Sequence, residues 1–208
     1  MQSNFYCKNS FIKLYDRPSY NSKIGSQILY GEKFKILKKE KNFLKIKTKY
    51  DNYIGYIKPT KYVSKFVATH KVCVLKSKIY KYPKDLKKFE LKSFLSFSSK
   101  IQVFKKKNSF VMFDNNKWLK VKDIKLINQK DKNILKILKL FLNCKYKWGG
   151  KSYNGIDCSA LIQLFYKFNN KFFPRDTIDQ IKFKKRIKKK KNLNLVILFT
   201  GKDMLLFA

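Results

Sequence analysis

The chain has 208 residues and a formal net charge of +37, with 50 lysines and arginines against 13 acidic residues. Its apolar content of 44% allows a packed core, and its length allows one large domain or several small ones. Nucleic-acid binders favour arginine for bidentate contacts, but Arg17, Arg175 and Arg186 are the only arginines, so the composition argues against that class.

The lysine excess accompanies many Asn, Ile, Phe and Tyr residues and few Gly, Ala and Pro residues. Because the enriched residues have AT-rich codons, we attribute the charge to the base composition of the gene. A basic surface that meets polyanions is the alternative.

The sequence contains no recognisable targeting or membrane segment. Residues 1–11 have no unbroken apolar stretch or small-residue cleavage site, and no run approaches the roughly 18 apolar residues of a membrane span. The four cysteines form no C-x-x-C pair, so we predict neither a zinc site nor a disulfide framework. We therefore expect a cytoplasmic location, with the cell envelope as the alternative.

Residues 12–66 are predicted to form a small β-unit. Phe34–Leu37 and Phe43–Thr48 cluster or alternate apolar residues over strand length. Gly55 lies inside a third such segment, Tyr53–Ile57, as expected where two backbones approach closely.

Residues 71–127 repeat this plan. Ile101–Phe104 corresponds to Phe34–Leu37, and Lys117–Val121 corresponds to the closing strand of the first unit. Two units of about 55 residues each predict a duplicated small β-barrel.

The first unit resembles bacterial SH3-like domains in the segments Leu14–Ser19, Gly31–Glu32, Phe43–Thr48 and Gly55–Ile57. The second unit fits this pattern less well and has lost its glycines. In that family such barrels flank a catalytic site and help to bind cell-wall peptide, and a stabilising spacer is the alternative.

A third domain, residues 131–208, begins where the apolar period changes. Apolar residues at helical spacing over residues 134–142 predict an amphipathic helix. The pairs Gly149–Gly150 and Asn154–Gly155 then predict turns. A second helix follows from residue 157 or 158, with the core positions Leu161, Leu164, Phe165 and Phe168.

This second helix places Cys158 in its first turn. Backbone N–H groups and the positive helix end favour a thiolate there, although a buried structural cysteine would fit the position equally well. The other cysteines are weaker candidates, because Cys7 precedes the predicted domains, Cys73 lies in a predicted strand and Cys144 ends an apolar helix.

Three motifs resemble those of the NlpC-type peptidases, which are papain-like cysteine hydrolases that cut γ-D-glutamyl–diaminopimelate bonds in murein peptides. The matching segments are Tyr146–Gly150, Asp157–Ser159 and Pro174–Thr177, and Gln180 follows at the family position. The resemblance implies an α+β architecture, in which two SH3-like β-barrels precede an incomplete papain-like (NlpC-type) catalytic domain.

The resemblance also implies roles for individual residues. Cys158 would be the catalytic nucleophile. Tyr146, Asp157 and Ser159 would shape the pocket for the free amine and the D-glutamyl carboxylate of the substrate, with Asp157 supplying negative charge. Arg175 would hold structure rather than touch substrate.

The pattern lacks a catalytic histidine. A thiolate peptidase needs an imidazole to protonate the leaving amine, and the family takes it from a Gly-His-Val-type strand after the cysteine helix. The only histidine, His70, lies between the two β-units and matches no family position. We therefore expect this chain to be inactive.

Residues 192–208 do not match the missing strand and follow the lysine run Lys188–Lys191. In a gene rich in AT, such a run is an adenine tract that is prone to length slips. The allowed codons of residues 192–208 permit, in the neighbouring frame, the string Gly-Asp-Phe-Ile-Tyr-Trp-Lys-Gly-His-Val. The sequence therefore predicts a frameshifted or truncated C-terminus.

Two functions of other classes stay open. A non-catalytic module that binds murein peptide is favoured by the missing histidine. A basic nucleic-acid binder would need aromatic and basic residues on one stacking surface, whereas the aromatic residues here follow core periodicity. We therefore expect murein peptides as partners, no nucleic acid, and neither a metal nor an organic cofactor.

Overall fold

The computed structural model describes the backbone of residues 4–81, 90–187, 196–200 and 203–207, and the side chains of residues 4–81 and 91–183. The strand-rich amino-terminal part precedes a helical part, so the architecture is α+β. The lysine run Lys188–Lys191 lies outside the described residues.

The first β-unit is one antiparallel sheet of seven strands in the order β3-β2-β6-β5-β4-β1-β7. Its strands are β1 Asn4–Cys7, β2 Phe11–Tyr15, β3 Ile24–Leu29, β4 Lys33–Glu40, β5 Phe43–Thr48, β6 Ile54–Ile57 and β7 Tyr62–Val63. Alternation along the strands buries Leu14, Ile28, Phe34, Ile46 and Ile57 in its core.

The unit includes a strand that sequence analysis missed. β1 lies before residue 12, where the predicted unit begins, and it pairs with β4. Cys7 in β1 is fully buried in the core. Burial raises the pKa of the Cys7 thiol to about 12. The interpretation of Cys7 as preceding any domain is therefore wrong, but its exclusion as a nucleophile agrees with a thiol that stays protonated.

The second β-unit consists of a five-stranded sheet, β10-β9-β14-β13-β12, and a three-stranded sheet, β11-β8-β15. Its strands are β8 His70–Val72, β9 Lys76–Tyr80, β10 Glu90–Ser96, β11 Lys100–Ile101, β12 Lys105–Lys107, β13 Phe110–Asp114, β14 Lys117–Lys120 and β15 Ile124–Leu126. The interpretation of the two units as duplicated barrels stays a prediction.

The third part carries the helices. Its elements are α1 Ile134–Lys139, β16 Lys151–Ser152, β17 Gly155–Ile156, α2 Cys158–Phe168, α3 Thr177–Ile187, β18 Val196–Thr200 and β19 Asp203–Phe207. The predicted helix over residues 134–142 is shorter than expected, because regular α-helix ends at Lys139 and hydrogen-bonded turns follow.

The core of this third part is shared with both β-units. Leu138 and Phe141 pack with the buried face of α2, and the same cluster includes Leu29 from β3 and Phe97, which follows β10. The three parts therefore pack around α2 through one shared core. Within the described residues, no helix is long and apolar enough to cross a membrane.

Candidate active site

Cys158 is the first residue of α2, as the sequence predicts, and its thiol is free and partly exposed. Asp157 caps the helix by accepting a hydrogen bond from the backbone N–H of Ala160 at 2.8 Å. The apolar face of α2 is anchored in the core through fully buried Leu161 and Leu164. This anchoring fixes the backbone position of Cys158 at the start of α2.

The carboxylate of Asp157 organises the start of α2. Besides the Ala160 N–H, its Oδ1 accepts from Ser159 Oγ at 3.0 Å and from Arg175 Nη1 at 3.0 Å. Its Oδ2 accepts from the Gly149 N–H at 3.0 Å and from Arg175 Nη2 at 2.7 Å. With both oxygens occupied and the charge paired to a guanidinium, Asp157 has little free negative charge for a substrate ammonium.

Arg175 connects the site to the first β-unit. Its buried guanidinium donates through Nε to Ser26 Oγ of β3 at 3.0 Å and through Nη1 to Ser159 Oγ at 2.7 Å. Arg175 therefore holds structure, as expected from the sequence. The role of Ser26 was missed, because nothing in its local sequence points to a residue so distant along the chain.

The loop before Cys158 packs directly on β3. Gly149 has a φ of +69°, and a Cβ there would lie 2.1 Å from the carbonyl oxygen of Ile24. The N–H of Lys151 donates to Gln27 Oε1 at 2.7 Å. Gly149 is thus explained by its close approach to β3, whereas a Cβ at Gly150 would meet the backbone oxygens of Gly155 and Lys147 in its own loop at 2.5 and 2.7 Å.

Tyr146, Asp157, Cys158 and Ser159 lie together, as the resemblance implies. Burial, with the neighbouring charge of Asp157 acting in the same direction, raises the pKa of Tyr146. Tyr146 is exposed, whereas Asp157 and Ser159 are buried. Of the three predicted pocket residues, Tyr146 is thus the one whose side chain faces the open surface.

Acidic and phenolic groups from the first β-unit also approach Arg175, and sequence analysis missed them. Burial raises the pKa of Tyr53 to about 12, and the charges of Asp176 and Asp16 act in the same direction. Asp16 and Asp176 are both exposed. Asp16 and Asp176 are thus two exposed carboxylates near Tyr53, and we call this pair the acidic rim.

Gln180 ties α3 to the same site. Its Nε2 donates to the backbone oxygen of Ser159 at 2.9 Å and to that of Pro174 at 2.8 Å. The family-like position of Gln180 thus serves to join α3, the Pro174–Thr177 loop and the start of α2.

The structure places His70 in β8 of the second β-unit, paired with Ile101 and Leu126. Its Nδ1 lies 2.9 Å from Thr69 Oγ1, and burial lowers the pKa of its ring. The adjacent Lys71 contacts the carbonyl of Phe168. That carbonyl ends α2, roughly 15 Å from Cys158 for a helix of this length, so His70 is not positioned as its acid–base partner.

The described side chains form no cluster of three or more His, Cys, Asp or Glu residues that could hold a metal ion. The free side chain of Cys158, held at a helix start beside a tyrosine and a buried Arg–Asp pair, instead fits nucleophilic chemistry.

Two family models match the chain. The model of the bacterial dipeptidyl-peptidase Sh3 domain matches residues 14–61, and the model of the NlpC/P60 family matches residues 143–204. The chain thus matches an NlpC-type peptidase with an N-terminal SH3-like domain. The NlpC/P60 family consists generally of cysteine peptidases.

Solved structures agree on the fold. An NlpC/P60 family protein from Bacillus cereus ATCC 10987 aligns with a TM-score of 0.74 at 16% identity, covering 86% of this chain and 77% of that one. An NlpC/P60 endopeptidase from Photobacterium damselae subsp. piscicida aligns with a TM-score of 0.62 at 13% identity, covering 86% of this chain and 45% of that one. A comparison with curated proteins gave no match.

Proposed function

We propose that this chain provides the nucleophile and part of the substrate pocket of a cysteine peptidase that hydrolyses γ-D-glutamyl–diaminopimelate bonds in murein peptides, with Cys158 as the nucleophile. The observation that carries the proposal is the Asp157–Arg175 pair at the start of α2. This pair holds the partly exposed thiol of Cys158 at the N-terminal end of α2.

In the proposed reaction, the Cys158 thiolate attacks the carbonyl carbon of the scissile amide and the amide nitrogen leaves as an amine. Water then hydrolyses the thioester. Tyr146 is proposed to contact the substrate directly, whereas Asp157 and Ser159 shape the pocket through Arg175. A substrate ammonium would meet the exposed carboxylates of the rim more readily than the paired Asp157.

The amine can leave only if it gains a proton, and an imidazole ordinarily supplies it. His70 lies beside the far end of α2, and this sequence has no other histidine. We therefore propose that the 208-residue chain binds murein peptides but cleaves them at a negligible rate. A non-catalytic murein-peptide-binding module is the second candidate, favoured by the same observation. We propose the cytoplasm as the compartment, with the cell envelope as the alternative.

Alkylation tests the nucleophile. Limiting iodoacetamide near neutral pH is expected to modify Cys158 first, as mapped by peptide mass spectrometry. Cys73 is the matched control, because it is also free and partly exposed, while burial raises the pKa of its thiol. Faster modification of Cys73 than of Cys158 would overturn the assignment.

Binding and cleavage assays test what the two candidate functions share, namely binding of murein peptide without cleavage. Calorimetry with L-Ala-γ-D-Glu-diaminopimelate should detect binding by the 208-residue chain, and Tyr146→Ala should weaken it, while chromatography should detect no product. Cleavage that is lost in Cys158→Ala would contradict the need for a histidine. Absence of binding would contradict both candidate functions.

A further inference from the structure

A buried charge cluster joins the first β-unit to the nucleophile helix. We call Glu32, Asp51, Lys151 and Lys167 the Glu32 cluster. Glu32 Oε2 lies 3.4 Å from Lys151 Nζ, and Glu32 Oε1 contacts Lys167 Nζ. The side chains of Glu32, Lys151 and Lys167 are 5%, 2% and 2% exposed, so water contributes little to their solvation.

The cluster is balanced, with two carboxylates and two ammonium groups. The two lysines, acting against burial, hold the pKa of Glu32 below its usual range, and they do the same for Asp51. Burial lowers the pKa of Lys167 to about 8 although Glu32 opposes the change, so the ammonium form still dominates at neutral pH. Loss of one member would leave an uncompensated buried charge, which is far costlier than removal of a pair.

The two lysines belong to the elements on either side of Cys158. Lys151 opens β16, in the loop whose Gly149 N–H donates to Asp157. Lys167 lies in the last turn of α2, the helix that Cys158 begins. Glu32 therefore holds the loop before the nucleophile and the helix after it through one carboxylate.

Asp51 extends the same contact. Its Oδ2 accepts a hydrogen bond from Gln163 Nε2 at 2.8 Å, and Gln163 is fully buried on α2. Carboxylates of the first β-unit thus bind α2 at two successive turns, at Gln163 and Lys167. Ser26 adds a hydrogen bond to Arg175.

We propose that Glu32 is a positioning residue for the Cys158 nucleophile: by binding Lys151 and Lys167 together, it sets the loop that delivers Gly149 to Asp157 against the helix that carries Cys158. This inference rests on the proposed function of Cys158. Glu32 acts through Lys151 on the geometry at the start of α2, and it makes no contact with substrate.

The experiment compares Glu32→Gln with a matched control in a second inter-unit contact. Asp114 of the second β-unit pairs with Lys8 of the first at 3.2 Å and accepts from Tyr30 at 3.3 Å, without involving the loop or α2. Asp114→Asn therefore removes an inter-unit ion pair but leaves the Glu32 cluster intact. Each variant is alkylated with iodoacetamide at the same temperature interval below its own Tm, and the rate at Cys158 is read by mass spectrometry.

Glu32→Gln is expected to slow Cys158 alkylation on the order of tenfold, since the reactivity of a thiol depends on its microenvironment and its accessibility to the reagent. Asp114→Asn should leave the rate within about twofold of wild type. The double variant Glu32→Gln/Lys167→Met keeps the buried charge balanced and removes the ion pair between Glu32 and Lys151. It is used if the single variant does not fold. It should be slowed by a similar factor.

An unchanged Cys158 rate in Glu32→Gln or in the double variant, with Cys158 still the preferred thiol of the wild type, would overturn the positioning role alone. Equal slowing of Cys158 alkylation by Asp114→Asn would show that the effect of Glu32→Gln is a general effect of stability and not of positioning. Preferential alkylation of another cysteine in the wild type would instead overturn the proposed function, so the two failures are distinguishable.

Discussion

The two β-units contact the third part through different sets of interactions, although both contribute apolar side chains to its core. The first β-unit adds many polar and charged contacts, with Ser26 on Arg175, Gln27 on the Lys151 N–H and Glu32 between two lysines. The second adds aromatic packing, in which the rings of Phe97 and Phe168 stack with centroids 4.7 Å apart, and fewer polar contacts, such as that of Lys71 with the Phe168 carbonyl.

This difference separates stability from positioning. Aromatic packing stabilises by burying area and tolerates small shifts, whereas bidentate hydrogen bonds fix distances and angles. The polar interface runs from the loop and helix start around Cys158 along α2 to Lys167, whereas the Phe97–Phe168 stack lies only at the far end of α2. The first β-unit is therefore placed to set the geometry of the site, and the second to stabilise the helix.

The largest expected effect comes from the aromatic interface. Phe97→Ala removes a buried ring that contacts both Phe141 and Phe168, and should lower the free energy of unfolding by about 3–5 kcal/mol. Urea denaturation measures the loss, which should be insensitive to salt. The Cys158 alkylation rate should change little in the fully folded range, and a large change there would break the division between the two interfaces.

Arg175→Lys is expected to lower the free energy of unfolding less than Phe97→Ala does, but to change the Cys158 alkylation rate more. Lysine keeps the charge but cannot donate to Ser26, Ser159 and both oxygens of Asp157, so the variant should lose about 2 kcal/mol and slow Cys158 alkylation. Arg17→Lys is the control, because Arg17 is exposed and should tolerate the change. Wild-type behaviour of Arg175→Lys would show that charge alone suffices.

Acid should weaken the polar interface selectively. Because the folded-state pKa of Glu32 lies below its ordinary value of 4.5, its contribution is fully present above that pH and is lost as the pH falls through the folded value. Each such carboxylate adds a slope of about 1.4 kcal/mol per pH unit while only the unfolded state is protonated.

Urea denaturation between neutral pH and about pH 3 reads this slope. Glu32→Gln/Lys167→Met should flatten it relative to wild type, whereas Phe97→Ala should leave the slope unchanged. An identical pH dependence in wild type and the double variant would contradict a stabilising ionised Glu32.

The candidate site was predictable where its chemistry is local. The turn pairs and the apolar spacing of Leu161, Leu164 and Phe168 identified the start of α2, and the structure places Cys158 there. The contribution of β3 was not predictable, because Ser26 and Gln27 meet Arg175 and Lys151 only through contacts between distant parts of the chain.

The burial of individual lysines was not predictable from the sequence either. Lysine is almost never fully buried unless it is paired, so the sequence of a chain rich in lysine gives no sign of which members lie inside. Lys151 and Lys167 are buried because a carboxylate from the first β-unit meets them, and Lys71 because it reaches the carbonyl that ends α2.

The sequence by itself determined the α+β class and the helix that begins at Cys158, since these depend on local periodicity and turn chemistry. Its motifs carried the resemblance to the NlpC-type peptidases. Only the tertiary structure decided that Asp157 is paired with Arg175, that Cys7 is a core thiol, and that Glu32 contacts both the loop before Cys158 and α2. Those contacts depend on which side chains, distant along the chain, are buried together, and no local sequence pattern indicates such pairings.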